Sequence, residues 1–223
     1  MNQEQALSLL KETKLVAILR GIPVKQATDI ATALYDGGVR VLEFTFDHDD
    51  PDCVAHNCQR IRAVKKIFGD EMVVGCGTAL IVQEVEASVE AGGQIVISTN
   101  VDVSVIAKTK ELGAISMPGA LTPTEIVMAH NAGADIVKLF PAGTLGVPYI
   151  KAVRGPLGYI PMSAVGGVRP ETIADFLNVG VCGFGVGGEL VKKEFVRSGD
   201  MNALTSRARK FVHAIEQWEA NRS

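Results

Sequence analysis

Two ionisable residues stand inside apolar runs, where a charge is expensive. Lys138 interrupts Ile136, Val137, Leu139 and Phe140 in "ADIVKLFPAG" (134–143), and Glu43 interrupts "VLEFT" (41–45). Dehydrating an ammonium disfavours its charged form, lowers its pKa and leaves some free amine near neutral pH. Such an amine attacks a ketone, giving a carbinolamine and then an imine, and a neighbouring carboxylate moves the protons of both steps. Glu43 is the strand-embedded carboxylate that suits the task. A plainer reading of the same residues is a structural ion pair, or a lysine whose stem carries its ammonium out of the core.

Either reading needs a scaffold that brings the two runs together. Glycine recurs just ahead of short apolar segments: "DGGVRVLEFT" from Asp36, "AGGQIVIST" from Ala91, "LGAISMPG" from Leu112, "AGADIVKLF" from Ala132 and "VGVCGFGVG" from Val179. Each reads as a helix ended by a left-handed glycine and followed by a buried strand. Gly93, Gly113 and Gly133 are 20 residues apart, and Gly180 follows Gly133 by 47, about two such units. In "TPTEIVMAHNAG", Ile126, Val127 and Ala129 recur at helical spacing, and Thr122 with Glu125 has the pattern of a capping box. Eight strands are expected near 15–20, 39–45, 72–76, 94–98, 113–117, 135–140, 160–165 and 182–187. Strand–helix alternation at this period means parallel crossovers. The expected fold is α/β, a TIM (β/α)8 barrel with an N-terminal helix, as one domain over residues 1–223. The alternative, an open doubly wound sheet, opens on a glycine-rich first turn that "LRGIPVKQA" does not supply.

In such a barrel the chemistry gathers at the C-terminal ends of the strands. Those ends carry Arg20, Glu43 with Thr45, Gly77-Thr78, Ser98-Thr99-Asn100, Pro118-Gly119, Lys138 with Phe140, Gly166-Gly167 and Gly187-Gly188. Alternation along a strand puts Val41, Glu43 and Thr45 on one face and Ile136, Lys138 and Phe140 on another. If both faces point inward, amine and carboxylate share one apolar mouth. The pairs Gly166-Gly167 and Gly187-Gly188 follow the last two strands, where backbone amides and a short extra helix commonly hold a phosphate. "GELVKK" is the candidate for that helix, although Glu189 at its start would repel an anion. Arg20, ending "LVAILRG", suits bidentate anion binding. "DHDDPD" (47–52) suggests a metal at first sight, but Asp50 capping a helix with Pro51 at its first position explains it better. His56, His130 and His213 fall on expected helices, and His48 lies near the mouth with no evident partner.

Composition narrows the field. A formal charge of -3 and 5% aromatic residues argue against a nucleic-acid surface. No run approaches the length of a membrane span. "MNQEQALSLLKETK" has neither the basic start nor the apolar stretch of a signal peptide, so the expected location is cytoplasmic. Cys53, Cys58, Cys76 and Cys182 are scattered, as reduced thiols would be.

The runs "VLEFT", "GCGTAL", "MPGALTPTEI", "VKLFPA" and "AVGGV", taken together, resemble the 2-keto-3-deoxy-6-phosphogluconate (KDPG) and 4-hydroxy-2-oxoglutarate (KHG) aldolase family, which includes 2-keto-3-deoxy-6-phosphogalactonate aldolases. The resemblance extends from about Leu15 to Leu190. It implies a class I aldolase, usually a homotrimer, that uses no metal or separate cofactor. The implied reaction is reversible cleavage of a 2-keto-3-deoxy-6-phospho sugar acid to pyruvate and glyceraldehyde 3-phosphate. By the same resemblance Lys138 is the Schiff-base lysine and Glu43 the general acid/base. Thr78 is a ligand of the pyruvate carboxylate, Pro118 and Phe140 pack around the pyruvyl group, and Gly166, Gly167, Gly187 and Gly188 form the phosphate loops.

The chain departs from the family pattern at several positions. Asp47 stands where many gluconate-type members have arginine, and Arg20 is then the candidate to take over anion binding. Glu189 stands where many have serine, and Val165 replaces a threonine. Arg20 and Ser98-Thr99-Asn100 look more like galactonate-type members. Substrates with a free or differently charged aldehyde end, such as 4-hydroxy-2-oxoglutarate, therefore stay open alongside the phosphorylated ones. Two other classes do too: a phosphate-binding TIM-barrel isomerase or synthase using Lys138 as a point charge, and a sugar-acid-binding barrel without catalysis.

Overall fold

The computed structural model describes residues 1–222. Nine strands form one parallel sheet: β1 (Leu15–Leu19), β2 (Val41–Thr45), β3 (Val73–Gly77), β4 (Ile95–Ile97), β5 (Ile115–Met117), β6 (Gly119–Ala120), β7 (Val137–Leu139), β8 (Met162–Val165) and β9 (Gly183–Val186). Among the described residues ten α-helices accompany them: α1 (Gln3–Thr13), α2 (Ala27–Asp36), α3 (Cys53–Phe68), α4 (Val82–Glu90), α5 (Val103–Glu111), α6 (Pro123–Asn131), α7 (Ala142–Leu157), α8 (Ile173–Asn178), α9 (Lys193–Ser198) and α10 (Met201–Ala220). The strand order runs β5-β4-β3-β2-β1-β9-β8-β7-β6. Its two ends, β5 and β6, are consecutive in the chain and joined by Pro118, so the sheet closes on itself as a TIM barrel.

Eight strands were expected and the fifth is split in two. Proline has no N–H to give a ladder. Pro118 instead accepts from the Lys138 amide at 2.9 Å, bridging the seam. Beside it the chain passes so close to the end of β4 that a Cβ on Gly119 would lie 2.5 Å from Thr99 O.

Several strands also begin about two residues later than the apolar runs do, and the helix ends explain why. The amides of Val39, Ala114 and Ala134 bond back to Leu34 O, Thr109 O and Ala129 O at 3.0 to 3.1 Å. Each follows a glycine with positive φ: Gly38, Gly113 and Gly133. These are Schellman caps, and the first apolar residue after the glycine serves the cap before the ladder starts. In "AGGQIV" the left-handed residue is Gly92 rather than Gly93. The capping box on α6 forms, with the Thr122 amide donating to Glu125 Oε2 at 2.7 Å.

Two cores result. The outer one lies between strands and helices and holds Leu42, Phe44, Leu139 and Phe184. The inner one fills the barrel with Val16, Val41, Val73, Ile95, Ile115 and Ile136, and Ala6 and Leu10 of α1 close it from below. Val41 and Ile136 on the inner face fix the direction of Glu43 and Lys138 by the two-residue period of a strand. Among the described residues no helix is long and apolar enough to cross a membrane.

Candidate active site

Lys138 and Glu43 both enter the barrel from its wall near the C-terminal ends of the strands. Lys138 is registered between Gly119 and Ser163, and Glu43 between Ile18 and Gly75. They are 5% and 1% exposed. Their charges attract through space rather than through a hydrogen bond, and among the described residues Glu43 Oε2 has no hydrogen-bond partner. Burial pushes the Glu43 carboxyl up to about 7, with Lys138 and Arg20 pulling the other way. Burial also pushes the Lys138 ammonium below its ordinary value, opposed by Glu43 and reinforced by Arg20. A carboxyl poised at neutral pH beside a lysine biased towards its free amine has the properties that a nucleophile and its proton carrier need.

Small residues make this placement possible. A Cβ on Gly77 would lie 2.2 Å from Glu43 Oε2, so the carboxyl occupies space that any other residue at 77 would claim. Next in the chain, Thr78 holds a left-handed backbone with φ 59°. Such strain in a residue other than glycine is retained where the surroundings over-determine it, commonly at functional sites.

Above the pair opens a cavity of about 500 Å³. Of the ten residues singled out from the sequence, Lys138, Glu43, Arg20, Phe140, Gly166, Gly167, Gly187 and Gly188 border it. Thr78 and Pro118 do not. Thr78 follows the glycine under the Glu43 carboxyl, and Pro118 meets Lys138 through its carbonyl. Ile18 and Val165 give the cavity apolar walls. The Phe140 ring stands at the mouth, 40% exposed, with Lys138 Nζ 5.3 Å from its centroid. Gly166 and Gly167 (φ 89° and 71°) turn the first glycine loop against the segment after β7, where the Gly143 amide donates to Gly166 O at 2.8 Å. A Cβ on Gly167 would come 3.1 Å from Gly143 Cα.

The second glycine loop differs from expectation. "GELVKK" is not a helix: the Leu190 and Val191 amides close a single turn on Gly187 O, Lys192 is extended, and α9 begins only at Lys193. The amides of Gly188 and Glu189 stand at the open start of that turn. Glu189 borders the cavity, yet α10 takes up its charge. Arg207 Nε donates to Glu189 O at 2.8 Å, and Arg207 Nη2 lies 3.4 Å from Glu189 Oε2. The repulsion of an anion expected from Glu189 is thereby blunted.

Two further expectations are corrected. His48 has a partner, with its Nε2 2.7 Å from Oε1 of the buried Glu84. Oε2 of that residue accepts from the Leu80 amide at 2.6 Å, tying the loops after β2 and β3 together. Asp50 does not cap α3 with Pro51 at its first position, because the helix starts at Cys53. Asp50 accepts from the Asp52 amide at 3.0 Å, and its other oxygen lies 2.7 Å from His56 Nδ1. Thr99, named from the sequence as a strand-end residue but given no role, and Lys193, not singled out, both border the cavity. Thr99 had a signal, its position at a strand end; Lys193 had none, because the loop before α9 sets its direction.

Comparison with known proteins places this geometry among relatives. The model of the family "KDPG and KHG aldolase" matches residues 7–207. The "Probable 2-dehydro-3-deoxy-6-phosphogalactonate aldolase" of Rhizobium meliloti (strain 1021) is 36% identical over 182 residues, covering 81% of this chain and 83% of that protein. The "KHG/KDPG aldolase" of Escherichia coli (strain K12) is 31% identical over 95% of this chain and 96% of its own length. A solved structure described as "Native KDPGal structure" superposes with a TM-score of 0.83 at 32% identity, covering 92% of this chain and 96% of that one.

Proposed function

The chain belongs to the KDPG and KHG aldolase family, and from that premise we propose that it is a class I, pyruvate-forming aldolase acting through an imine on Lys138. One observation carries the reading: a dehydrated lysine and a dehydrated carboxyl share the inner face of one barrel, under a mouth edged by glycine loops. Lys138 Nζ adds to the C2 ketone of a 2-keto-3-deoxy acid. Glu43, protonated over part of the neutral range, donates as the carbinolamine loses water. The iminium accepts the electron pair of the C3–C4 bond as that bond breaks. Glu43, through water, takes the C4 hydroxyl proton, and the aldehyde leaves. The enamine is protonated at C3, and hydrolysis returns pyruvate and the free lysine. The scheme needs no separate cofactor.

The substrate we propose is 2-keto-3-deoxy-6-phosphogluconate, giving pyruvate and glyceraldehyde 3-phosphate. Phe140 packs on the pyruvyl group and the amides of Gly166, Gly167, Gly187 and Gly188 receive the phosphate; Thr78 and Pro118, which do not border the cavity, are the proposed carboxylate and pyruvyl contacts at its buried end. A second reading, the 6-phosphogalactonate epimer, draws on Arg20, on Asp47 in place of an arginine, and on the name of the Rhizobium meliloti relative. We further propose a cytoplasmic homotrimer. Leu80, Ile81 and Leu121 on loops and Val103 at the start of α5 are exposed and provide an apolar surface for such contacts. Light scattering after gel filtration tests the trimer, and a monomer mass would refute it.

Borohydride reduction with pyruvate, read by peptide mass spectrometry, tests the chemistry. The expected product is a reduced pyruvyl adduct on the peptide containing Lys138. A folded protein that forms no adduct between pH 6 and 9 would make Lys138 a structural or anion-binding charge. Initial rates on the two 6-phospho epimers and on 4-hydroxy-2-oxoglutarate then decide the substrate.

A further inference from the structure

A second cavity, of about 610 Å³, adjoins the catalytic one and shares Arg20, Val191 and Lys193 with it. Four cations border it, Arg20, Lys25, Lys193 and Arg197, against the single carboxylate of Asp47. That balance opposes the character of the whole chain, whose formal charge is -3. Some cations elsewhere are neutralised by acidic partners: Lys108 with Glu111 at 2.9 Å, Lys110 with Asp135 at 2.6 Å, Arg207 with Glu189 at 3.4 Å. Among the described residues these four have no such partner. Lys193 and Arg197 stand one turn apart on α9, where like charges repel each other and an anion between them removes the repulsion. The floor is apolar, with Ile22 and Val191 buried. Each cavity by itself has the size of a whole small-molecule site, roughly 300–1,000 Å³. The second is therefore surplus to a six-carbon substrate already seated over Lys138.

We infer that this second cavity binds a small phosphate-bearing polyanion other than the aldol substrate, held by Lys25, Arg197 and Lys193, with Arg20 shared between the two sites. A lone carboxylate leaves most of the positive charge unmatched. A diphosphate, or a phosphate ester that also bears a carboxylate, matches it, and guanidinium groups take phosphate oxygens two at a time. The inference rests on the cavity and its charges and does not require that Lys138 form an imine.

The test uses inorganic pyrophosphate as probe and calorimetry as readout. It compares the intact protein, the protein reduced with borohydride in the presence of pyruvate, and the variant K25Q/R197Q. We expect one pyrophosphate per chain on the intact and the reduced protein, with affinities within about threefold of each other. K25Q/R197Q should weaken binding tenfold or more and leave aldol cleavage rates unchanged. Equal binding by K25Q/R197Q would put the anion on the glycine loops and overturn the inference, as would no binding at all. An equal loss in the control R62Q/K66Q, two exposed cations of α3, would show general charge attraction and overturn it too. The mass of the reduced adduct reports on the aldolase reading independently, so failure of one proposal is distinguishable from failure of the other.

Discussion

The floor and the rim of the catalytic cavity are built on opposite principles. At the floor, two charged side chains are taken out of water, and each is pushed towards its neutral form. At the rim, glycine amides and the exposed cations Arg20 and Lys193 remain in contact with solvent. Dehydration changes what a group can do, making an ammonium a nucleophile and a carboxylate a proton donor at neutral pH. Solvated cations and amides recognise an anion without changing chemically. Floor substitutions should therefore act on kcat and rim substitutions on KM.

The sharpest way to break this division is K138A, which removes the proposed nucleophile. Cleavage should fall by about 10⁴ or more and the borohydride-trapped adduct should vanish. Substantial residual turnover would contradict the floor assignment. Next is E43Q, for which a loss of about 10² to 10⁴ in kcat is expected. Its pH profile sharpens the point. Because the folded-state value is raised to about 7, Glu43 is mostly protonated below that pH and ionised above it. If its carboxylate is the base, kcat/KM for cleavage should climb between pH 6 and 8 in the wild type, and E43Q should lose that limb. The same upward shift means that Glu43 costs the fold stability as pH rises, an effect absent below the unfolded value, growing up to about 7 and constant above it.

G77A tests whether space beneath the carboxyl matters as much as the carboxyl itself. Its methyl would displace Glu43 by an ångström or more, and misplacement of that order costs about 10² in rate. The reading predicts lowered kcat with KM little changed; unaltered kinetics would show that Glu43 does not need its present position. The smallest effect belongs to the rim. K193Q should raise KM for a phosphorylated substrate by about tenfold or less, more at low salt than at high, with kcat unchanged. A fall in kcat would blur the floor-and-rim distinction.

The contrast also marks what could be read from the sequence. Floor residues announce themselves, because a lysine in "IVKLF" and a glutamate in "VLEFT" violate the local pattern, and alternation then assigns them one face. The glycine before each strand was legible for a similar reason, since helix caps need left-handed residues. The rim follows from contacts remote in sequence. Arg207 reaches Glu189 across 18 residues and His48 reaches Glu84 across 36. Lys193 joins the cavity only because "GELV" closes as one turn instead of continuing as a helix. The split of the fifth strand lay in plain view as the proline of "MPGA", but only the closed ring shows what that proline does.

That proline has a kinetic meaning. One of the bonds across the seam of the barrel is donated by the backbone amide of Lys138 itself, beside those that the Asp135 and Ile136 amides give to Ser116 O. Opening the ring at this point therefore also frees the backbone that carries the proposed nucleophile. In deuterium exchange, the rate at which the Lys138 amide picks up label should report how often this part of the seam opens, so that one residue gauges both the closure of the barrel and the setting of its proposed nucleophile.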